Sequence, residues 1–389
     1  MNSTTLITGA SQLLTLRGRG PRRGSAAMRH LGIVKNGAVL IRDGIIVAVG
    51  PLNKVEAHPL ARTAEKFDAG GRVILPGFVD SHTHLIHGAS RAEEYELRIT
   101  GASYEEIAKR GGGILNSVAK LRASTAHALK QRARGALQQF AAYGTTTIEA
   151  KSGYGLDVAS ELKILQLHKE LAAEEPLGIV STFLGAHVVP SEFRGRPTGV
   201  AEYIELLTEK LIPEVAAQHL ADFCDVFCER GAFTVAQSKQ ILEAGKRNGL
   251  APRMHAEQLS HTGGTRLGVK LGAASCDHLE KINRADIRAL SKSNTVATLL
   301  PGCDFHLGLQ EYAPARALID AGAIVAFATD YNPGTSPTVS MPMILSLACT
   351  QLRMTPAEAI TAATINAAYS LGRGKQIGSL EVGKLADMA

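Results

Sequence analysis

From residue 73 onward, short apolar runs alternate with longer stretches in which apolar positions recur at helical spacing. Runs of the first kind fall at 77–81, 145–149, 179–183, 223–227, 251–254, 274–276, 295–299 and 324–328. Between them, segments such as 160–170, with Leu162, Leu165, Leu167 and Lys169, suit helices. Strands alternating with helices in this number predict an α/β fold, a (β/α)8 TIM-like barrel. Ahead of it, residues 38–50 read as apolar strands around Asp43-Gly44, a turn pair that suits a β-hairpin. Beyond Met354 the pattern is helical again, and 377–385 returns to a turn-rich β pattern suited to pairing with the opening unit. The expected organisation is a small β-sandwich domain built from both chain ends, 1–72 and 374–389, and a barrel over 73–373. The C-terminal part of the small domain is read as cut short at Ala389.

Length and composition narrow the class. A chain of 389 residues with 45% hydrophobic content can bury a large core. Its longest apolar runs fall far short of the roughly 20 residues a membrane helix needs. The start, Met1-Asn2-Ser3-Thr4-Thr5, has no basic segment leading into an apolar stretch, so the cytoplasm is the expected location. Five cysteines without a C-x-x-C pair argue against a disulfide framework or zinc ribbon and read as buried small hydrophobes. The net charge of +6 owes much to Arg17, Arg19, Arg22 and Arg23, read as a solvated loop. No aromatic residues interleave with them, so a nucleic-acid partner is not expected.

Candidate chemistry falls where a barrel places it, at the C-terminal strand ends. Pro76 to Ser81 leads into His82-Thr83-His84, and residues two apart on an extended backbone point the same way, so both imidazoles can reach one metal. A second apolar strand ends in His255. A third, 324–328, ends at Asp330, whose burial without a cation would be costly. Three imidazoles and a carboxylate suit one zinc or iron ion with a position left for water, which such an ion activates near neutral pH. Asp330 then serves as proton acceptor and donor, and His278 orients water or polarises a carbonyl. Lys151 to Tyr154, His187, Glu229, Asp304 and His306 also fall at strand ends.

The order His82-x-His84, His255, His278, Asp330 resembles the amidohydrolase superfamily over nearly the whole chain. Within it, Arg91, Lys151-Ser152-Gly153-Tyr154-Gly155-Leu156, Gly185-Ala186-His187, His255-Ala256-Glu257-Gln258 and Asp330-Tyr331-Asn332-Pro333-Gly334-Thr335 resemble the imidazolonepropionase family. The resemblance implies that His82, His84, His255 and Asp330 hold one zinc or iron ion per subunit. It implies that Arg91, Tyr154, His187, Gln258, Asn332, Gly334 and Thr335 hold substrate or product, with Asp330, His278 and Gln258 catalytic. The implied reaction opens the cyclic amide of 4-imidazolone-5-propanoate to N-formimidoyl-L-glutamate in histidine degradation, in a homodimer. Arg110 and Gly111 to Gly113 resemble the family's glycine-rich loop near the site.

Three other readings share parts of this pattern. A nucleobase deaminase would share the histidines and the aspartate, but Arg91 and the Tyr154 motif argue against it. A two-metal, dihydroorotase-like enzyme would need a lysine at the fourth strand end, where Cys228-Glu229-Arg230 stands instead. A catalytically inactive binding barrel would not need the intact water-activating groups.

Overall fold

The computed structural model describes residues 3–101, 106 and 112–389. Arg110 and Gly111 lie outside the described residues. Among the described residues, parallel strands run in sequence order from Phe78–Asp80 through Thr145–Lys151, Gly178–Ala186, Phe223–Cys228, Met254–Ala256, Ser275–His278 and Val296–Leu299 to Ile324–Phe327. These are the first to eighth barrel strands below. Every apolar run singled out in the sequence overlaps one of them, with ends moved by a few residues. The fifth is split: Ala251–Pro252 and Met254–Ala256 both pair with the fourth, and Arg253 between them carries a fully buried side chain.

The first and eighth strands meet beyond their regular ends. Asp330 N–H donates to the His82 carbonyl at 3.1 Å, and His84 N–H to that of Tyr331 at 2.8 Å. Deeper down, Asp80 accepts from Thr329 N–H at 3.0 Å and Thr329 Oγ1 at 2.6 Å. The backbone of the expected ligands is thus part of the barrel's seam.

Helices cover the outside as their spacing predicts. The segment around 160–170 becomes the helix Val158–Glu174, started by Asp157, whose side chain accepts from Ser160 N–H at 2.7 Å. Its inner face, including Ile164, Leu165, Leu167 and Leu171, is buried. No helix among the described residues is long and apolar enough to cross a membrane. All five cysteines are free thiols; Cys224, Cys228, Cys276 and Cys303 are buried and Cys349 half-buried.

The chain start forms two small sheets. One orders Ile45–Pro51, Gly37–Arg42, Thr4–Thr8 and Glu65–Asp68; the other, Ile33–Lys35, Gln12–Leu14 and Val73–Ile74. The hairpin turn lies at Asp43-Gly44, with φ of 51° and 78°, positive at both central positions as a tight hairpin of this type requires. The chain end docks on this unit through backbone bonds rather than a full strand. Lys384 O accepts from Ile46 N–H, Gly383 N–H donates to Ile46 O, and Leu75 and Ala389 exchange bonds at 3.0 and 2.9 Å.

The basic segment requires a correction. Arg17 and Arg19 are exposed, as a solvated loop implies, but Arg22 and Arg23 are half-buried pins. Arg22 Nη2 donates to the Leu16 and Arg17 carbonyls, and Arg23 reaches those of Ser291, Ser293 and Gly322. Arginine's five fixed donors suit such carbonyl clusters, and a tally of charge along the chain cannot reveal them.

Candidate active site

At the mouth of the barrel, His82, His84 and His255 bring ligand atoms within 4.8 Å of one another, as do His82, His278 and Asp330. His82 belongs to both groups. Asp330 Oδ1 lies 3.5 Å from His82 Nε2 and 3.7 Å from His84 Nε2. All five side chains are buried. Burial first, then the cations and imidazoles nearby, holds His82 and His84 well below the ordinary histidine pKa, so both rings are neutral. Burial also lifts Asp330 to about 6 against the opposing pull of His278 and His255.

This donor set fits a divalent metal ion. Among the described residues, His82 Nε2 and His255 Nε2 are buried without a hydrogen-bond partner, a costly state that a coordinated cation relieves. Two of the rings are held from behind. His82 Nδ1 is 2.7 Å from Asp277 Oδ2, and His255 Nδ1 is 3.1 Å from Asp225 Oδ2. The hydrogen bond to Asp277 fixes the His82 tautomer and leaves its Nε2 as the lone-pair donor. His278 differs. Burial disfavours its charged form, yet Glu280, 3.5 Å from Nδ1, together with Asp330 and Asp304 raises it to about 9. A protonated imidazole donates hydrogen bonds and does not coordinate.

The other expected site residues gather around this centre. The His187 ring stacks on His84 with centroids 5.3 Å apart, and Tyr154 lies 5.6 Å from His84 and 5.5 Å from His187. His187 Nδ1 donates to the Gly153 carbonyl at 3.0 Å, which turns Nε2 free as an acceptor. The Gln258 amide is half-buried, its nearest partner the Cys303 sulfur at 3.7 Å. Arg91 lies against Gly334: a Cβ there would stand 2.1 Å from Arg91 Nη1, so a side chain at 334 would push the guanidinium from this position. The Asn332 side chain bonds within its own loop, accepting from Gly334 and Thr335 N–H at 2.8 Å and donating to the Asp330 carbonyl at 2.7 Å. Thr335 Oγ1 bonds to Asn332 as well. Asp304 is buried beside Glu280 and is raised to about 8 by burial first and that carboxylate second. His306 instead turns outward to stack on Tyr95.

Sequence reasoning missed most of the residues behind these and placed Glu229 at a strand end without a role. Glu161 accepts from Gly153, Gly155 and Leu156 N–H and so shapes the loop that carries Tyr154. Glu229 accepts from Leu259 and Ser260 N–H, and Glu257 from Gly263 and Thr265 N–H, fixing the loop after Gln258. Glu94 accepts from Arg91 Nε at 2.9 Å and Nη2 at 2.6 Å, and its other oxygen from Gly113 N–H. The available signal was an acidic residue inside an otherwise apolar stretch, as in Phe223-Cys224-Asp225-Val226-Phe227. Several strand-end residues, Glu257, His278, Leu279 and Asp330, also hold positive φ, a local strain common at functional sites.

Comparison with known proteins agrees with this geometry. Residues 73–389 match the model of the amidohydrolase family. An imidazolonepropionase of Solibacter usitatus is 48% identical over 388 residues, covering 100% of this chain and 92% of the relative. One from Geobacillus kaustophilus is 47% identical, covering 98% and 90%. Solved structures share the fold at low identity. An atrazine chlorohydrolase of Arthrobacter aurescens, complexed with zinc and atraton, matches with a TM-score of 0.70 at 18% identity, covering 99% of this chain and 86% of that one. An adenosine deaminase of Xanthomonas campestris with bound zinc matches with a TM-score of 0.68 at 18% identity, covering 99% and 84%. The chain belongs to the amidohydrolase family and, within it, to the imidazolonepropionases.

Proposed function

We infer that this protein hydrolyses the cyclic amide C–N bond of 4-imidazolone-5-propanoate to N-formimidoyl-L-glutamate, a step of histidine degradation. The observation that carries this reading is the placement of Arg91 against Gly334, on the loop that begins at Asp330. It sets a receptor for a carboxylate tail one loop away from the imidazole cluster, which a neutral nucleobase would not use.

His82, His84, His255 and Asp330 would hold one zinc or iron ion per subunit; when bound, it supplies Lewis acidity that brings water's pKa down to about 7. Arg91 binds the substrate carboxylate through the guanidinium face left free by Glu94. Tyr154, His187 Nε2 and the Gln258 amide orient the ring, and the loop of Asn332, Gly334 and Thr335 keeps Arg91 in place. His278, held protonated, donates to the carbonyl oxygen as charge develops there. Asp330 takes a proton from the attacking water at its free carboxylate oxygen and returns it to the leaving ring nitrogen. We place the enzyme in the cytoplasm as a homodimer, in keeping with the family.

The test is ultraviolet-monitored loss of freshly generated 4-imidazolone-5-propanoate by metal-replete protein, beside Asp330→Asn and a panel of nucleobases. We expect turnover of the imidazolone by the parent and a loss of at least a thousandfold in the variant. Turnover of a nucleobase instead would make the enzyme a deaminase.

A further inference from the structure

Below the imidazole cluster lies a second set of charges, buried from solvent. Lys151, at the end of the second strand, is fully buried, with Nζ 2.7 Å from Glu149 Oε1, 2.7 Å from Asp225 Oδ2 and 3.6 Å from Asp277 Oδ2. Arg253 joins the set from the fifth strand, its Nη2 3.4 Å from Asp277 Oδ2 and 2.8 Å from the Ser81 carbonyl. In a barrel, alternate strands contribute side chains to one layer. Here the second, fourth and sixth strands meet in a layer of charge instead of aliphatic packing.

The two carboxylates that Lys151 approaches are those behind the metal-site histidines. The same oxygen of Asp225 faces both Lys151 Nζ and His255 Nδ1, and the same oxygen of Asp277 faces Lys151, Arg253 and His82 Nδ1. We propose that Lys151 is a positioning residue for the metal: one ammonium at the barrel centre holds Asp225 and Asp277 in register and thereby aims His255 and His82, from opposite sides of the barrel, at a single ion. Glu149, Asp225 and Asp277 outnumber Lys151 and Arg253 by one, so this layer carries net negative charge beneath the site, which favours a cation there. The inference rests on the metal-dependent reading above.

The experiment compares the purified holoenzyme with Lys151→Met and with the double variant Lys151→Met/Glu149→Gln, which removes one charge of each sign and leaves the balance unchanged. Zinc release to a graded chelator, the visible spectrum of the cobalt-loaded forms and the thermal midpoint are recorded for each. We expect both variants to hold zinc ten- to a hundredfold more weakly, the range found when outer carboxylates behind metal ligands are lost. The cobalt bands of the double variant should shift while its metal-stripped form melts within a few degrees of the stripped parent. Parental zinc affinity and an unchanged cobalt spectrum in the double variant would overturn the proposal. Failure of both variants to fold would overturn it too, because the layer would then be a folding requirement without a separable part in holding metal. A parent that holds no stoichiometric metal would defeat the metal-dependent reading itself.

Discussion

Asp330 shows how much a single residue carries in this site. It holds positive φ at the end of the eighth strand, donates its N–H across the barrel seam to His82, and presents its carboxylate to two imidazoles. Gly334, four residues on, is defined by what it lacks. Because a Cβ there would meet Arg91 Nη1 at 2.1 Å, Gly334→Ala must displace the guanidinium from its place beside the site. Losing a charge-assisted hydrogen bond costs about 1.5–3 kcal/mol, which is roughly ten- to a hundredfold in kcat/KM. The expected result is a rise in KM for the carboxylate-bearing substrate with metal content unchanged. Steady-state kinetics with metal analysis checks it, and a fall in kcat at constant KM would place Arg91 elsewhere in the reaction. Some of this was legible in the residues themselves: His-x-His on a strand end and a lone aspartate closing an apolar run state their chemistry by type and spacing. Glu94, Glu161 and Glu257 were not, since a glutamate in a loop looks solvated until the backbone N–H groups it accepts from are known.

At the scale of elements, several loops of the active face are held by a buried carboxylate, and the same device joins two helices elsewhere in the molecule. Glu358, in the first turn of the helix Pro356–Thr361, caps it with Thr355 and pairs with Arg316 at 3.0 Å from the neighbouring helix Ala315–Asp320. Burial raises the pKa of Glu358, but Arg316, Ser25 and Thr355 outweigh it and bring the group down to about 2. A depressed carboxylate pKa stabilises the fold above its ordinary value of 4.5, and that contribution is lost as pH falls from there toward 2. At about 1.4 kcal/mol per pKa unit, the contribution at neutral pH is on the order of 3 kcal/mol. Glu358→Gln should therefore lower the urea midpoint at pH 7, with the gap from the parent narrowing below pH 4.5. A gap independent of pH would assign the effect to packing. The strands were readable in sequence because a strand enclosed in a barrel is apolar on both faces and leaves a continuous run. The pin made by Arg23 was not, because its carbonyl partners lie some 270 to 300 residues away along the chain.

For the whole molecule, the metal centre and the barrel seam are the same place, so occupancy and global stability are coupled. An ion bound to the folded state alone contributes about 4 kcal/mol at a thousandfold excess over its Kd. Prolonged dialysis against a chelator should therefore lower the thermal midpoint by several degrees, and restoring zinc should recover it; calorimetry on both forms is the check. An unchanged midpoint would mean that the imidazole cluster is rigid without an ion.

The sequence by itself determined the fold class, the order of the strands and the residues able to ligate a metal, because those follow from apolar periodicity and side-chain chemistry, which are local. The tertiary structure alone decided which groups stand behind them. Lys151 meets Asp225 and Asp277 across the barrel interior, 74 and 126 residues along the chain, because strands two, four and six share one layer there. Burial then makes that encounter matter: away from water, each charge must find its partner within a few ångströms, and only the closed barrel brings the partners together.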